Sequence, residues 1–148
     1  MTILLALLMQ AGVLAGQSER LAAVEVLSDG TERSIDCGEA HVQRDLNMCS
    51  DMMFVEADDA LNAQWDIAAA KMRSMDKERY ASEDGRPGYF DALLESQGAW
   101  LTYRDAHCVN EGYLARGGTM EPMLRNFCLA ELTRERTEQL RQLAEYPE

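Results

Sequence analysis

From residue 42 to residue 145 the apolar side chains recur at intervals of three and four, and the pattern breaks where glycine and proline cluster. That spacing belongs to helices that bury one stripe. Leu46, Met53, Ala57, Leu61, Gln64 with Trp65, Ala68, Met72 and Met75 predict a first helix from 41 or 42 to about 79. Glu83-Asp84-Gly85-Arg86-Pro87-Gly88 then supplies punctuation that no helix continues through. A second helix, from about 89 to about 113, carries Phe90, Leu93, Leu94, Gln97, Trp100, Leu101, Arg104 and Cys108 at the same spacing. Gly98 inside it costs about 1 kcal/mol against alanine, which points to a neighbour passing close. After Arg116-Gly117-Gly118, Thr119 is the expected N-cap of a third helix, with Glu121 and Pro122 in its first turn. Its core side is expected to be Met123 with Leu124, Phe127 with Cys128, Leu132, Arg136, Leu140 and Leu143, ending near 145. No strand-like alternation of useful length stands out, and 19–35 reads as a linker with one weak helical turn. The expected fold is all-α, an antiparallel helical hairpin with a third helix alongside, in one domain over 36–146.

The N-terminus is of a different character. Residues 1–18 contain no Asp, Glu, Lys or Arg and run Thr2-Ile3-Leu4-Leu5-Ala6-Leu7-Leu8-Met9 before turning small. This run is shorter than the ~20 residues that span a bilayer. It reads as an export signal, with Val13 and Ala15 at the positions a signal peptidase inspects and cleavage near Ala15. A retained N-terminal anchor is the rival reading. No cysteine precedes Cys37, which excludes lipid attachment at a processed N-terminal cysteine.

Export places Cys37, Cys49, Cys108 and Cys128 in an oxidising compartment, where an even count favours two disulfides over thiols or metal. The wide spacings, with His41 and His107 the only histidines, do not suit zinc, and no metal or cofactor is expected. Four cysteines allow three connectivities. Cys108 precedes the Gly117-Gly118 turn by about as many residues as Cys128 follows it, so two antiparallel helices joined there bring the two level. Cys37 then pairs with Cys49 by exclusion. Twelve residues of straight helix would hold that pair about 18 Å apart, so the chain near Gly38 must double back.

Composition excludes some functions. Hydrophobic residues at 47% and charged residues at 27% argue for a folded domain. Against 14 Lys and Arg stand 26 Asp and Glu, and the net charge of -12 repels nucleic acid and anionic lipid while attracting cationic partners. Carboxylate pairs such as Asp58 with Asp59, or Glu83 with Asp84, are expected from such abundance and do not by themselves make a general acid and base. Neither histidine sits in a motif with a nucleophile, so an enzyme is not expected.

Several segments together resemble the LprI-type lysozyme inhibitors of the bacterial envelope. They are Asp36-Cys37 with Gln43-x-x-Leu46-Asn47-x-Cys49; Ala57-Asp58-x-x-Leu61-Asn62; Gln97-x-x-Trp100-Leu101-x-Tyr103-Arg104-Asp105-x-x-Cys108; Gly117-Gly118-Thr119; and Cys128 followed by Leu132-Thr133-x-x-Arg136. The resemblance implies a helical, non-catalytic envelope protein, periplasmic or secreted, whose partner is a cationic protein such as a lysozyme. A structural or stress-related envelope interaction module without inhibitory activity is the alternative. Asp58, Asn62, Trp100, Tyr103, Arg104, Asp105 and Arg136 form the candidate patch. Its expected role is structural first, with Arg104 paired to Asp58 and Asn62 completing the hydrogen bonds, because a buried charge persists only when paired. N-terminal sequencing of the exported protein is expected to start at Gly16 or within a few residues of it; a chain that still begins at Met1 would establish the retained anchor instead.

Overall fold

The computed structural model describes residues 22–78 and 85–146. The expected export signal at 1–18, the first residues of the expected linker and the Glu83-Asp84 pair lie outside the described residues. All three helices form, as α1 (Gln43–Glu78), α2 (Tyr89–Gly112) and α3 (Glu121–Glu145), with a 3₁₀ turn at Tyr113–Ala115 after α2. α3 packs along α1 more extensively than α2 does. Small buried side chains allow that approach: Ser50, Ala57, Ala68 and Ala69 on α1, and Asn126, Ala130 and Thr133 on α3. The main core gathers Leu61, Ala68, Met72, Leu93 and Leu140, with Trp65, Met75, Phe90 and Trp100 packed against it. Burying a leucine such as Leu140 contributes about 1.5 to 3 kcal/mol.

The chain before α1 is not a linker. Strands β1 (Ala22–Val26) and β2 (Glu32–Asp36) pair antiparallel, with Ala22 opposite Asp36 and Val26 opposite Glu32. Leu27 and Thr31 close the loop, where the Leu27 amide donates to the Thr31 carbonyl at 2.7 Å and Asp29 accepts from the Thr31 amide and hydroxyl. Two strands alone are marginal in water. This pair is held because Ala23 and Ile35 bury against Cys49, Met48 and Met52, and because Arg33 bridges Glu25 of β1 and Asp45 of α1. The hydrogen bonds from Arg33 hold the Asp45 carboxyl below the usual carboxylate range.

Both expected disulfides form. Cys37 and Cys49 are 5.6 Å apart at Cα and clamp the end of β2 to α1; Cys108 and Cys128 are 5.4 Å apart and clamp α2 to α3. No cysteine among the described residues is free. The connections are set by specific contacts. Asp76 of α1 accepts from the Tyr89 and Phe90 amides at 2.7 and 3.0 Å, so one helix supplies the N-terminal cap of the next. Gly88 leaves room for it, since a Cβ there would lie 2.9 Å from Asp76 Oδ1.

Two local expectations fail. Thr119 is not the N-cap of α3, a place taken by Met120 without a side-chain bond. The Thr119 carbonyl instead accepts from Asn47 Nδ2 at 3.0 Å, and Glu121 reaches back to the Gly117 amide at 2.6 Å. Gly117 has φ of 76°, the left-handed turn that glycine adopts without a steric penalty. No neighbour passes close to Gly98, where an added Cβ meets open space. Replacing Cys108 with Ser is expected to lower unfolding stability by about 2 to 5 kcal/mol in urea melts and to expose a Cys128 thiol. An unchanged midpoint would mean that the bridge does not hold α2 to α3.

Candidate functional site

The expected patch divides into a buried part and an exposed part. The Arg104 side chain is 8% exposed. Its Nη1 donates to Asp58 Oδ1 of α1 at 3.1 Å and to Thr133 Oγ1 of α3 at 3.3 Å, and its Nε donates to Asp105 Oδ1 at 2.9 Å. Phe54 of α1 and Trp100 of α2 present their rings 5.3 and 5.1 Å from the guanidinium carbon, within cation–π range. Asn62 donates to Asp58 Oδ2 at 3.3 Å, one turn along α1. Asp58, Asn62, Trp100, Arg104 and Asp105 are thus brought together, around a cation that all three helices help to satisfy. A group so enclosed is poorly placed to meet a partner.

Arg136 stands in a separate network. Its Nε donates to Gln97 Oε1 at 2.9 Å, its Nη2 to Ser96 Oγ at 3.2 Å and its Nη1 to Gln139 Oε1 at 3.1 Å. Burial without a charged partner among these contacts lowers its pKa from the ordinary arginine value. These bonds tie α3 to α2.

Tyr103 takes no part in either network and faces outward, 54% exposed, with its ring stacked on His107 at 5.3 Å between centroids. Beside His107 lies a cleft of about 380 Å³ between α2 and α3, next to the Cys108–Cys128 bridge. Its α2 wall is His107 and Glu111, and its α3 wall holds Leu124, Phe127, Glu131 and Leu132. The sequence reading assigned Leu124, Phe127 and Leu132 to the core. In the structure Leu140 is buried as expected, but the rest of the buried face of α3 is Asn126, Leu129, Ala130 and Thr133, and Phe127 is 38% exposed. The helix is rotated because its smaller residues face α1, where backbones approach closely, and this turns the apolar stripe towards solvent at the cleft. Three apolar residues on a nominally buried stripe, one turn from two glutamates, were the available sequence signal.

The long helix contributes the third feature. Between Arg44 and Lys71 it carries Asp45, Asp51, Glu56, Asp58, Asp59 and Asp66 and no base. Asp45 and Asp58 are paired to arginines. Asp51, Glu56, Asp59 and Asp66 make no ion pair or side-chain hydrogen bond among the described residues, and all four are exposed, as are Val55 and Ile67 on the same helix. No group of three or more His, Cys, Asp or Glu among the described residues is placed to hold a metal ion. No helix among them is long and apolar enough to cross a membrane.

Residues 35–140 match the family described as lysozyme inhibitor LprI. The chain belongs to this family. An uncharacterized protein of Rhizobium meliloti (strain 1021) is 45% identical over 113 residues, which is 76% of this chain and 81% of that protein. No solved structure matches. Two disulfides within this LprI-family domain fit an extracytoplasmic location.

Replacing Asp58 with Ala strips the buried Arg104 of its interhelical carboxylate and is expected to lower stability by roughly 2 to 3 kcal/mol. Asn62→Ala, which removes an exposed bond, is expected to change it by less than about 1 kcal/mol. Equal losses for the two variants in denaturant melts would contradict a buried tie at Arg104.

Proposed function

We propose that the protein is an exported, non-catalytic binding protein of the bacterial envelope that docks on a lysozyme and obstructs its cleft. Membership of the LprI family supports the partner class. The observation that carries the reading is the run of six acids without a base on α1, four of them without an ion pair or side-chain hydrogen bond among the described residues. Carboxylates that balance no internal cation project their field outward, and such a field accelerates encounter with a basic protein. Glycan hydrolases of this kind work with a carboxylate pair in a cleft, so a body seated over that cleft stops them without any chemistry of its own. The apolar leader at 1–18 and the two bridges support delivery to the periplasm or the exterior.

The test is lysozyme clearing of a bacterial cell-wall suspension in the presence of the purified, disulfide-bonded protein. Clearing is expected to slow at molar excess and low salt. Raising ionic strength from 0.1 M to 1 M shortens the screening length from about 10 Å to about 3 Å and is expected to weaken the inhibition. Clearing that is unaffected at large excess and low salt would refute the reading for that lysozyme.

A further inference from the structure

The α2–α3 cleft has a composition that a merely structural crevice does not require. One carboxylate stands on each wall, Glu111 on α2 and Glu131 on α3, and the α3 wall adds the apolar Leu124, Phe127 and Leu132. Glu131 makes no ion pair or side-chain hydrogen bond among the described residues. The nearest cationic group to Glu111 is His107 Nε2, at 4.0 Å, which bears charge only when protonated. Beside these two carboxylates Phe127 is exposed and Leu124 and Leu132 are only half-buried, although α3 has a buried face elsewhere.

From this we infer that the cleft is the anchor pocket for a basic side chain of the partner, arginine in preference to lysine. The inference rests on the reading of the protein as a binder of a basic enzyme. The aliphatic stem lies against Leu124, Phe127 and Leu132, and the cationic head sits between Glu111 and Glu131. A planar guanidinium with its fork of donors bridges two carboxylates better than a compact ammonium does. The aromatic pair Tyr103 and His107 at the α2 rim adds a surface of the kind enriched at binding hot spots. The free acids of α1 then act at long range, and the cleft acts at contact.

The test compares two double variants with the same change in net charge. Glu111→Gln with Glu131→Gln empties the cleft of charge, and Asp59→Asn with Asp66→Asn removes the same charge from α1. The cleft pair is expected to raise the inhibition constant for lysozyme at least about tenfold, and the α1 pair less than about threefold. All four carboxylates are solvent-accessible, and an unshifted melting temperature confirms that each variant folds. If the parent inhibits and the two pairs weaken it equally, or the cleft pair leaves it unchanged, the pocket is overturned while the inhibitory function stands. If the parent inhibits no lysozyme, the function falls, and the pocket is judged by direct NMR titration with Nα-acetyl-arginine methylamide, using the uncharged norleucine analogue as control. Shifts confined to residues lining the cleft, given by the arginine probe and abolished in the Glu111→Gln, Glu131→Gln protein, are the expected result. No shifts, shifts elsewhere, or equal shifts from the norleucine probe overturn the assignment.

Discussion

The packing of the three helices depends on one buried guanidinium. Arg104 springs from α2, ion-pairs with Asp58 of α1 and donates to Thr133 of α3, with aromatic rings of α1 and α2 beside it. A charge taken out of water is tolerated only in a geometry that satisfies its donors, so the three helices must hold one mutual register to keep it satisfied. Leucines and alanines supply the larger share of the burial energy, but they tolerate sliding in a way that a fork of directed donors does not. Thr133 is fully buried beside it, and its small side chain is also what lets α3 approach α1 closely.

The covalent and capping contacts restrain what that tie leaves free. One bridge pins the hairpin to the start of α1, and the other pins α2 to α3 on either side of the turn that joins them. Asp76 fixes the opposite turn by capping α2 from α1. Tyr103 and Phe127, exposed beside the bridge that joins α2 to α3, are not among the contacts that tie those helices together. The run Trp100-Leu101-Thr102-Tyr103-Arg104-Asp105 is therefore two things at once, a buried anchor on one side of the helix and an aromatic rim on another.

Helix positions, cysteine pairing and the Arg104 to Asp58 pair were legible because each follows from a strong local rule. Apolar residues at threes and fours mark the helices, equal distances from Gly117-Gly118 mark one bridge, and a charge on an apolar face demands a partner. The hairpin was not legible. Its strands are five residues each and bury little beyond Ala23 and Ile35, so the alternation is too short to register, and it is stabilised by α1 through Cys49, Met48, Met52 and Asp45. The rotation of α3 was hidden for a related reason, since Ala130 and Thr133 face the core by virtue of being small, whereas hydrophobicity favours Phe127 and Leu132. The cleft was hidden with it. Gly98 shows the converse error, a glycine whose context suggested close packing and whose surroundings are open.

That the inner tie is structural and the α2–α3 face does the docking is tested most directly by side-chain oxidation footprinting of the protein alone and with excess lysozyme. Phe127 lines the cleft and Tyr103 stacks on His107 of its α2 wall, while Tyr146 at the far end of α3 and Val26 in the hairpin serve as internal references that are exposed and do not line it. Loss of reactivity at Tyr103 and Phe127, with Tyr146 and Val26 unchanged, is the expected result. Protection of Tyr146 or Val26 with Tyr103 and Phe127 still reactive would place the partner on another face and contradict the account.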